Sequence, residues 1–237
     1  MVHFSVDDTI EVFRYLTENK CKSIFENPLL RFFKKLNNEY SFAVSMYCFY
    51  EKDGFNLSLC SDKYKDEFEE NSAWLKFGFH ALDKKSNYKD YDASEFKEEL
   101  IKTVSELERI VTKDAITYNV RLGFCQGNIG CIKAMKECFS NFNILYGADD
   151  SRIVYYLSEE ENNLYLENGV FRDEKMGICI KKCEKRLEYS TNFTERVKEL
   201  DENKIYPFFT HETVLLKDDK FLDYIEALCK SAHVFVS

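Results

Sequence analysis

Two rhythms of apolar residues organise this chain. At residues 2–9, Phe4 and Val6 alternate with polar neighbours, the two-residue period of a strand; from Ile10 to Leu16 the spacing turns helical. Residues 42–50 are almost continuously apolar, as in a strand buried on both faces. Residues 74–80 read as the next strand, followed by strands at 117–121, 143–146 and 205–211. Helical patterns lie between them. Asn27-Pro28 offers a helix start with Leu29, Leu30, Phe32, Phe33 and Leu36 on one face. The clearest repeat is 93–112, where Phe96, Leu100, Val104, Leu107 and Val111 recur at spacings of three and four. Residues 62–71, 131–136, 193–200 and 220–230 read as further helices. From 153 to 189 the rhythm changes to short strands. Segments 153–156 and 163–166 flank a polar turn, Asn168-Gly169 is a hairpin signal, and 176–180 adds a strand. This predicts a small β-hairpin insertion beside a main α/β sheet.

Four of the predicted strands end in chemically capable residues: Asp7-Asp8, His80, Arg121 and His211. Only four histidines exist, and two of them occupy strand ends. In α/β folds the carboxyl ends of strands are where sites are built, because the strands are rigid and the loops beyond vary. A carboxylate with imidazoles on such a rim can hold a divalent cation, since zinc, nickel, cobalt and iron accept nitrogen and oxygen ligands. A second carboxylate can act as base on a metal-bound water. Neighbouring strand residues point opposite ways, so Asp7 and Asp8 are expected to take different roles. Each residue also has a plainer reading. The two aspartates can cap the following helix, His80 can be a core histidine, Arg121 can pair with a rim carboxylate, and His211-Glu212 can start a helix.

Composition narrows the classes. Hydrophobic content of 45% with 16% aromatic describes a packed globular protein, and eight glycines and two prolines leave little linker material. One domain over residues 1–237 is expected, with 153–189 as its β insertion. A net charge of −9 argues against a nucleic-acid partner, which requires basic surface. No apolar run approaches the roughly 18–20 residues that cross a bilayer, and the chain enters its first strand without a signal pattern. No membrane partner and a cytoplasmic location are therefore expected. Nine cysteines, an odd count with no Cys-x-x-Cys pair, read as buried thiols in a reducing compartment.

The order of these pieces resembles the polysaccharide deacetylase superfamily (NodB-like, carbohydrate esterase family four), whose fold is a distorted (β/α) barrel of mostly parallel strands. Ser5-Val6-Asp7-Asp8 is similar to the family's opening Thr-Phe-Asp-Asp, which implies Asp7 as catalytic base and Asp8 as metal ligand. Phe79-His80 matches the first histidine of the family's His-(Ser/Thr)-x-x-His block, implying His80 as a second ligand. Arg121-Leu122-Gly123-Phe124 partly matches Arg-x-Pro-(Tyr/Phe), so Arg121 would orient the base. Pro207-Phe208-Phe209-Thr210-His211-Glu212 looks like the late Leu-x-His block, making His211 the proton donor to the leaving amine. Position 84, where the family has its second metal histidine, is lysine. Asp83 is the substitute ligand expected here, with Asp90, Asp92 and an inward-turned His211 as alternatives. The resemblance implies a metal-dependent hydrolase that deacetylates an N-acyl amino sugar or related small amide with a divalent metal such as zinc, nickel, cobalt or iron. Two other readings stand beside it. One is a non-catalytic or repurposed carbohydrate-binding barrel without a complete metal site. The other is an interaction protein whose acidic, β-rich insertion is the partner surface.

Overall fold

The computed structural model describes residues 1–189, 193, 197, 201 and 204–235. Apart from Phe193 and Val197, the helix expected at 193–200 lies outside the described residues. The centre of the molecule is β1 (Val2–Thr9). Its apolar residues Val2, Phe4 and Val6 are fully buried, and so, within 2%, are His3, Ser5 and Asp7 on the opposite face. The alternation in the sequence therefore marks two enclosed faces, one apolar and one polar. Parallel neighbours flank β1: β2 (Val44–Phe49) with Ser5 opposite Ser45, and β10 (Tyr206–His211) with Phe4 opposite Phe208. β5 (Leu75–Ala81) extends the sheet beyond β2, β9 (Lys185–Arg186) extends it beyond β10, and β11 (Val234–Phe235) pairs with the start of β1. Every one of these pairings is parallel. A short antiparallel hairpin, β3 (Glu51–Lys52) with β4 (Phe55–Asn56), follows β2.

Helices cover the apolar side, each started by a local device. α1 (Glu11–Glu18) follows β1 directly and buries Val12, Phe13 and Leu16. α2 (Pro28–Tyr40) begins where the Asn27 side chain accepts from the N–H groups of Leu29 and Leu30, with proline at a tolerated first position. α3 (Lys65–Glu70) is a short surface helix with Phe68 turned inward. Asp92 caps α4 (Ala93–Val111), whose Phe96, Leu100, Val104, Leu107 and Val111 are buried as their spacing predicts. α5 (Ile129–Cys138) packs beside α4, and α7 (Glu212–Leu215) and α8 (Lys220–Ser231) lie between β10 and β11. No helix among the described residues is long and apolar enough to cross a membrane. All nine cysteines are free, and eight are buried.

Two regions need correction. The strand expected at 153–156 is loop and turn. The strand expected at 163–166 is helical: α6 (Glu159–Asn168) starts in a Ser158–Glu161 capping box. Asn168-Gly169 ends that helix, with Gly169 left-handed at φ +70°, instead of turning a hairpin. The hairpin comes one step later, as β7 (Val170–Asp173) antiparallel to β8 (Ile178–Lys181), and β8 also pairs in parallel with β6 (Ile144–Tyr146). The segment is therefore mixed helix and strand, and its last strand belongs to the parallel array. The second correction concerns 117–121, which forms no ladder. Single parallel bridges, Phe77 with Ile116 and Val120 with Leu145, link this part of the chain to β5 and β6. The fold is α/β with a mostly parallel central sheet, and no continuous ladder closes it into a barrel among the described residues.

Candidate functional site

The polar ends of β1, β5 and β10, together with Arg121 from the 117–121 segment, meet at a cavity of about 340 Å³ whose walls include Asp7, Asp8, His80, Arg121 and His211. Two irregularities in the ladders aim them there. Between β1 and β2 the register passes from Val6–Met46 to Thr9–Cys48, so Asp7 and Asp8 together oppose one residue. Asp8 takes the left-handed conformation, φ +58°, which is unusual for a residue other than glycine. Between β2 and β5 the register passes from Cys48–Phe79 to Phe49–Ala81, leaving His80 as the extra residue. Such bulges twist the strand locally and redirect a side chain. Asp7 and Asp8 consequently both face the cavity, contrary to the expectation of opposite faces.

Asp7 is 2% exposed, and its Oδ2 accepts from Arg121 Nε at 2.5 Å. Arg121, also buried, is fixed on three further sides. Its Nη1 donates to the Gly147 carbonyl at 2.5 Å and to Cys183 Sγ at 2.9 Å, and its guanidinium lies 3.6 Å from the Phe209 ring centroid. The other carboxylate oxygen, Asp7 Oδ1, is buried without a hydrogen-bond partner among the described residues. A buried acceptor in that state calls for a water or a ligand donor.

His80 bridges the other two elements. Its Nδ1–H donates to the Arg121 carbonyl at 2.5 Å, and its Nε2 stands 3.2 Å from Asp8 Oδ1. Nε2 and the Asp8 carboxylate therefore face each other at hydrogen-bond distance. Burial pushes the Asp8 pKa up, but the hydrogen bond and charge of His80, with the charges of His211 and Lys52, outweigh it and hold the pKa below its ordinary value.

His211 is in register with Asp7 on the adjacent strand. Its Nδ1 donates to Glu188 Oε1 at 2.5 Å. Burial favours neutral imidazole, but the Glu188 hydrogen bond and the charges of Asp7 and Asp8 prevail, so its pKa is raised from 6.5. Glu212, next in sequence, serves α1. Its carboxylate accepts from the backbone N–H groups of Ile10, Glu11 and Val12 at 2.8, 2.7 and 2.9 Å. A carboxylate distant in sequence therefore caps the helix that Asp7 and Asp8 were candidates to cap, and the two aspartates remain at the cavity. Burial pushes Glu212 up to about 7 against those three donors.

Asp83 lines the same cavity but is committed to its own turn, where Oδ1 accepts from the Lys85 and Ser86 N–H groups and the Ser86 hydroxyl at 2.8–2.9 Å. Lys84 is drawn outward to Asp53 at 2.7 Å, and Asp92 caps α4. Among the described residues no three His, Cys, Asp or Glu side chains are grouped to hold a metal ion. Asp8 and His80 form a two-donor edge, short of the three protein ligands usual at a catalytic zinc. The residues present therefore do not fit a complete metal centre.

Glu188, Arg152 and Arg186 also belong to this region, although no sequence pattern marks them as candidates. Arg152 and Arg186 line the cavity, and Glu188 backs His211. All three lie in or beside the 153–189 stretch that reads as an insertion; a basic residue near the acidic Asp149-Asp150 pair is the one available signal.

Comparison with known proteins bears on the fold. No family model matches the chain, and no curated protein matches it in sequence. Among solved structures, a 4-alpha-glucanotransferase from Thermococcus litoralis is 10% identical with a TM-score of 0.53, covering 99% of this chain and 37% of that one. The likeness shows a shared fold with part of that enzyme. A peptidoglycan N-acetylglucosamine deacetylase is 12% identical with a TM-score of 0.48, over 99% of this chain and 85% of that one.

Proposed function

We propose that the chain is a hydrolase that removes the acyl group from an N-acyl amino sugar or a related small amide, on a partly closed barrel of the deacetylase type. The observation that carries this reading is the pairing of Asp7 with His211, in register on adjacent parallel strands and open to one cavity. Asp7 Oδ1, with Arg121 holding the other oxygen, is a base ready to take a proton from water. His211, held by Glu188 with its pKa raised, is an acid ready to protonate the departing nitrogen. Asp8 and His80, held face to face, add a further pair of polar groups to the same cavity. The second reading, a carbohydrate-binding pocket without catalysis, is favoured by the two-donor edge at Asp8 and His80.

Acetate release from N-acetylglucosamine oligosaccharides tests both. Under the first reading, His211→Gln lowers turnover by about 10²–10⁴-fold, the range for loss of a general acid, with a stability change under about 1 kcal/mol. Sugar binding without any acetate release would sink hydrolysis and leave the binding pocket. Elemental analysis of wild type against His80→Ala, after equilibration with zinc, nickel, cobalt and iron, decides the metal question: one ion per chain, lost in the variant, gives the metal-dependent form.

A further inference from the structure

Tyr47 is fully buried on β2, on the same face as Ser45. Ser45 is paired with Ser5, two residues before Asp7, and at the bulge the Asp7-Asp8 pair opposes Tyr47 alone. Asp7 and Tyr47 are therefore cross-strand neighbours at an enclosed end of the sheet. The ring has little room to move. Its partner on β5 is Gly78, where a Cβ would stand 3.0 Å from Tyr47 Cδ1, and it packs in one cluster with Tyr146, Cys183 and Phe209. Cys183 and Phe209 are also the residues that brace Arg121. One packed layer thus seats both the guanidinium that holds Asp7 and the phenol beside it.

Phenylalanine would fill this apolar position as well, so the hydroxyl is what calls for a reason. Among the described residues, Tyr47 is the one tyrosine whose buried hydroxyl has no hydrogen-bond partner. Other enclosed phenols are spent on backbone acceptors: Tyr155 Oη donates to the Tyr146 carbonyl at 2.5 Å and Tyr165 Oη to the Ala148 carbonyl at 3.0 Å. Ser45 Oγ and Asp7 Oδ1 are buried and unpartnered too. Three such atoms therefore lie on neighbouring positions of adjacent strands, two hydroxyls able to donate and one carboxylate oxygen able to accept. Left alone, each is costly. One enclosed water satisfies all three, since buried waters make about three hydrogen bonds. Burial chiefly, then Tyr146 and the charge of Asp7, push the Tyr47 pKa well above its ordinary value, so the phenol keeps its proton to donate.

Resting on the hydrolase reading above, we propose that Tyr47 is a positioning residue for the base: through one enclosed water, with Ser45 as third partner, its hydroxyl holds Asp7 Oδ1 while Arg121 holds Oδ2. The carboxylate is then fixed at both oxygens. An ionised carboxylate oxygen accepts more than one hydrogen bond, so Oδ1 keeps a lone pair for the proton it takes in the cavity.

Two measurements test this. A high-resolution crystal structure of wild type is expected to show a water within hydrogen-bond distance of Tyr47 Oη, Asp7 Oδ1 and Ser45 Oγ. In acetate release from N-acetylglucosamine oligosaccharides, Tyr47→Phe, which keeps the ring and its packing, is expected to lower kcat about tenfold, the size of one hydrogen bond, with KM unchanged. Tyr155→Phe, which removes an equally enclosed hydroxyl bonded to backbone, is expected to leave kcat in place. No water joining Tyr47 to Asp7, an unaltered kcat in Tyr47→Phe, or an equal fall in Tyr155→Phe overturns the positioning role and leaves the hydrolase reading standing. A bridging water in a protein that releases no acetate overturns the hydrolase reading, and the positioning role with it.

Discussion

The polar face of β1 has a histidine at one end and an aspartate at the other, and the two are treated in opposite ways. His3 is fully enclosed, stacked on Tyr146 with ring centroids 4.3 Å apart and planes 3° apart. Burial, with the charges of Lys181 and Arg121, lowers its pKa to about 3, so this end is held neutral. Four residues along the same face, Asp7 is equally buried but meets a guanidinium, an open cavity and, on the next strand, a histidine held by a glutamate. Equal burial thus encloses a stacked, neutral imidazole at one end and a carboxylate held by a guanidinium at the other. The lower end of the face is structure; the upper end has the makings of chemistry.

The hardest way to break this contrast is to remove the counter-ion. Arg121→Met leaves the Asp7 carboxylate buried and unpaired, at an expected cost of about 3–5 kcal/mol in urea unfolding. The double variant with Asp7→Leu should recover much of that, since it removes the orphaned charge. A full cost that persists in the double variant would mean Arg121 acts chiefly through Gly147, Cys183 and Phe209.

The enclosed end is tested by acid. Native His3 takes up its proton only near pH 3, whereas in the unfolded chain it does so near pH 6.5. Between those values the unfolded state binds more protons, so stability falls as pH falls, by up to roughly 4 kcal/mol from this group. His3→Phe keeps the stack and should flatten that part of the stability–pH curve. An unchanged slope would remove His3 from the account of acid sensitivity.

The smallest effect is at the rim. The raised pKa of His211 contributes stability that is complete below about pH 6.5 and is lost as pH rises through its higher folded value. Glu188→Gln should lower the His211 pKa, read directly by proton NMR of the imidazole, with a stability change under about 1 kcal/mol because the pair is partly exposed. The alkaline limb of any hydrolytic activity should move to lower pH in the same variant. A His211 titration indifferent to Glu188 would detach this glutamate from the site.

Part of the fold and of the site is legible in the residues alone. The 93–112 helix follows from five apolar residues at helical spacing, and β2 from its continuous apolar run, because each signal is local and strong. The segment 163–166 reads falsely as a strand because Leu164 and Leu166 alternate, while the deciding signal is the Ser158–Glu161 box upstream. At the cavity, Asp7, Asp8, His80, Arg121 and His211 stand out as polar ends of apolar runs. Glu188 does not, since nothing in its neighbourhood separates it from the other surface-type carboxylates of an acidic chain.

The sequence by itself determined where the chain alternates, where it is continuously apolar and which strands end in acid, base or cation; these are properties of a few adjacent residues. Only the tertiary structure decided that Asp7 and Asp8 share a side, that His80 is extruded from its ladder, and that Glu212 rather than an aspartate caps α1. A bulge is a mismatch between two paired strands and exists in neither alone. The cap joins residues some 200 positions apart, and the Asp7–Arg121 pair spans 114. Such pairings form only once the sheet has brought both partners to the same edge.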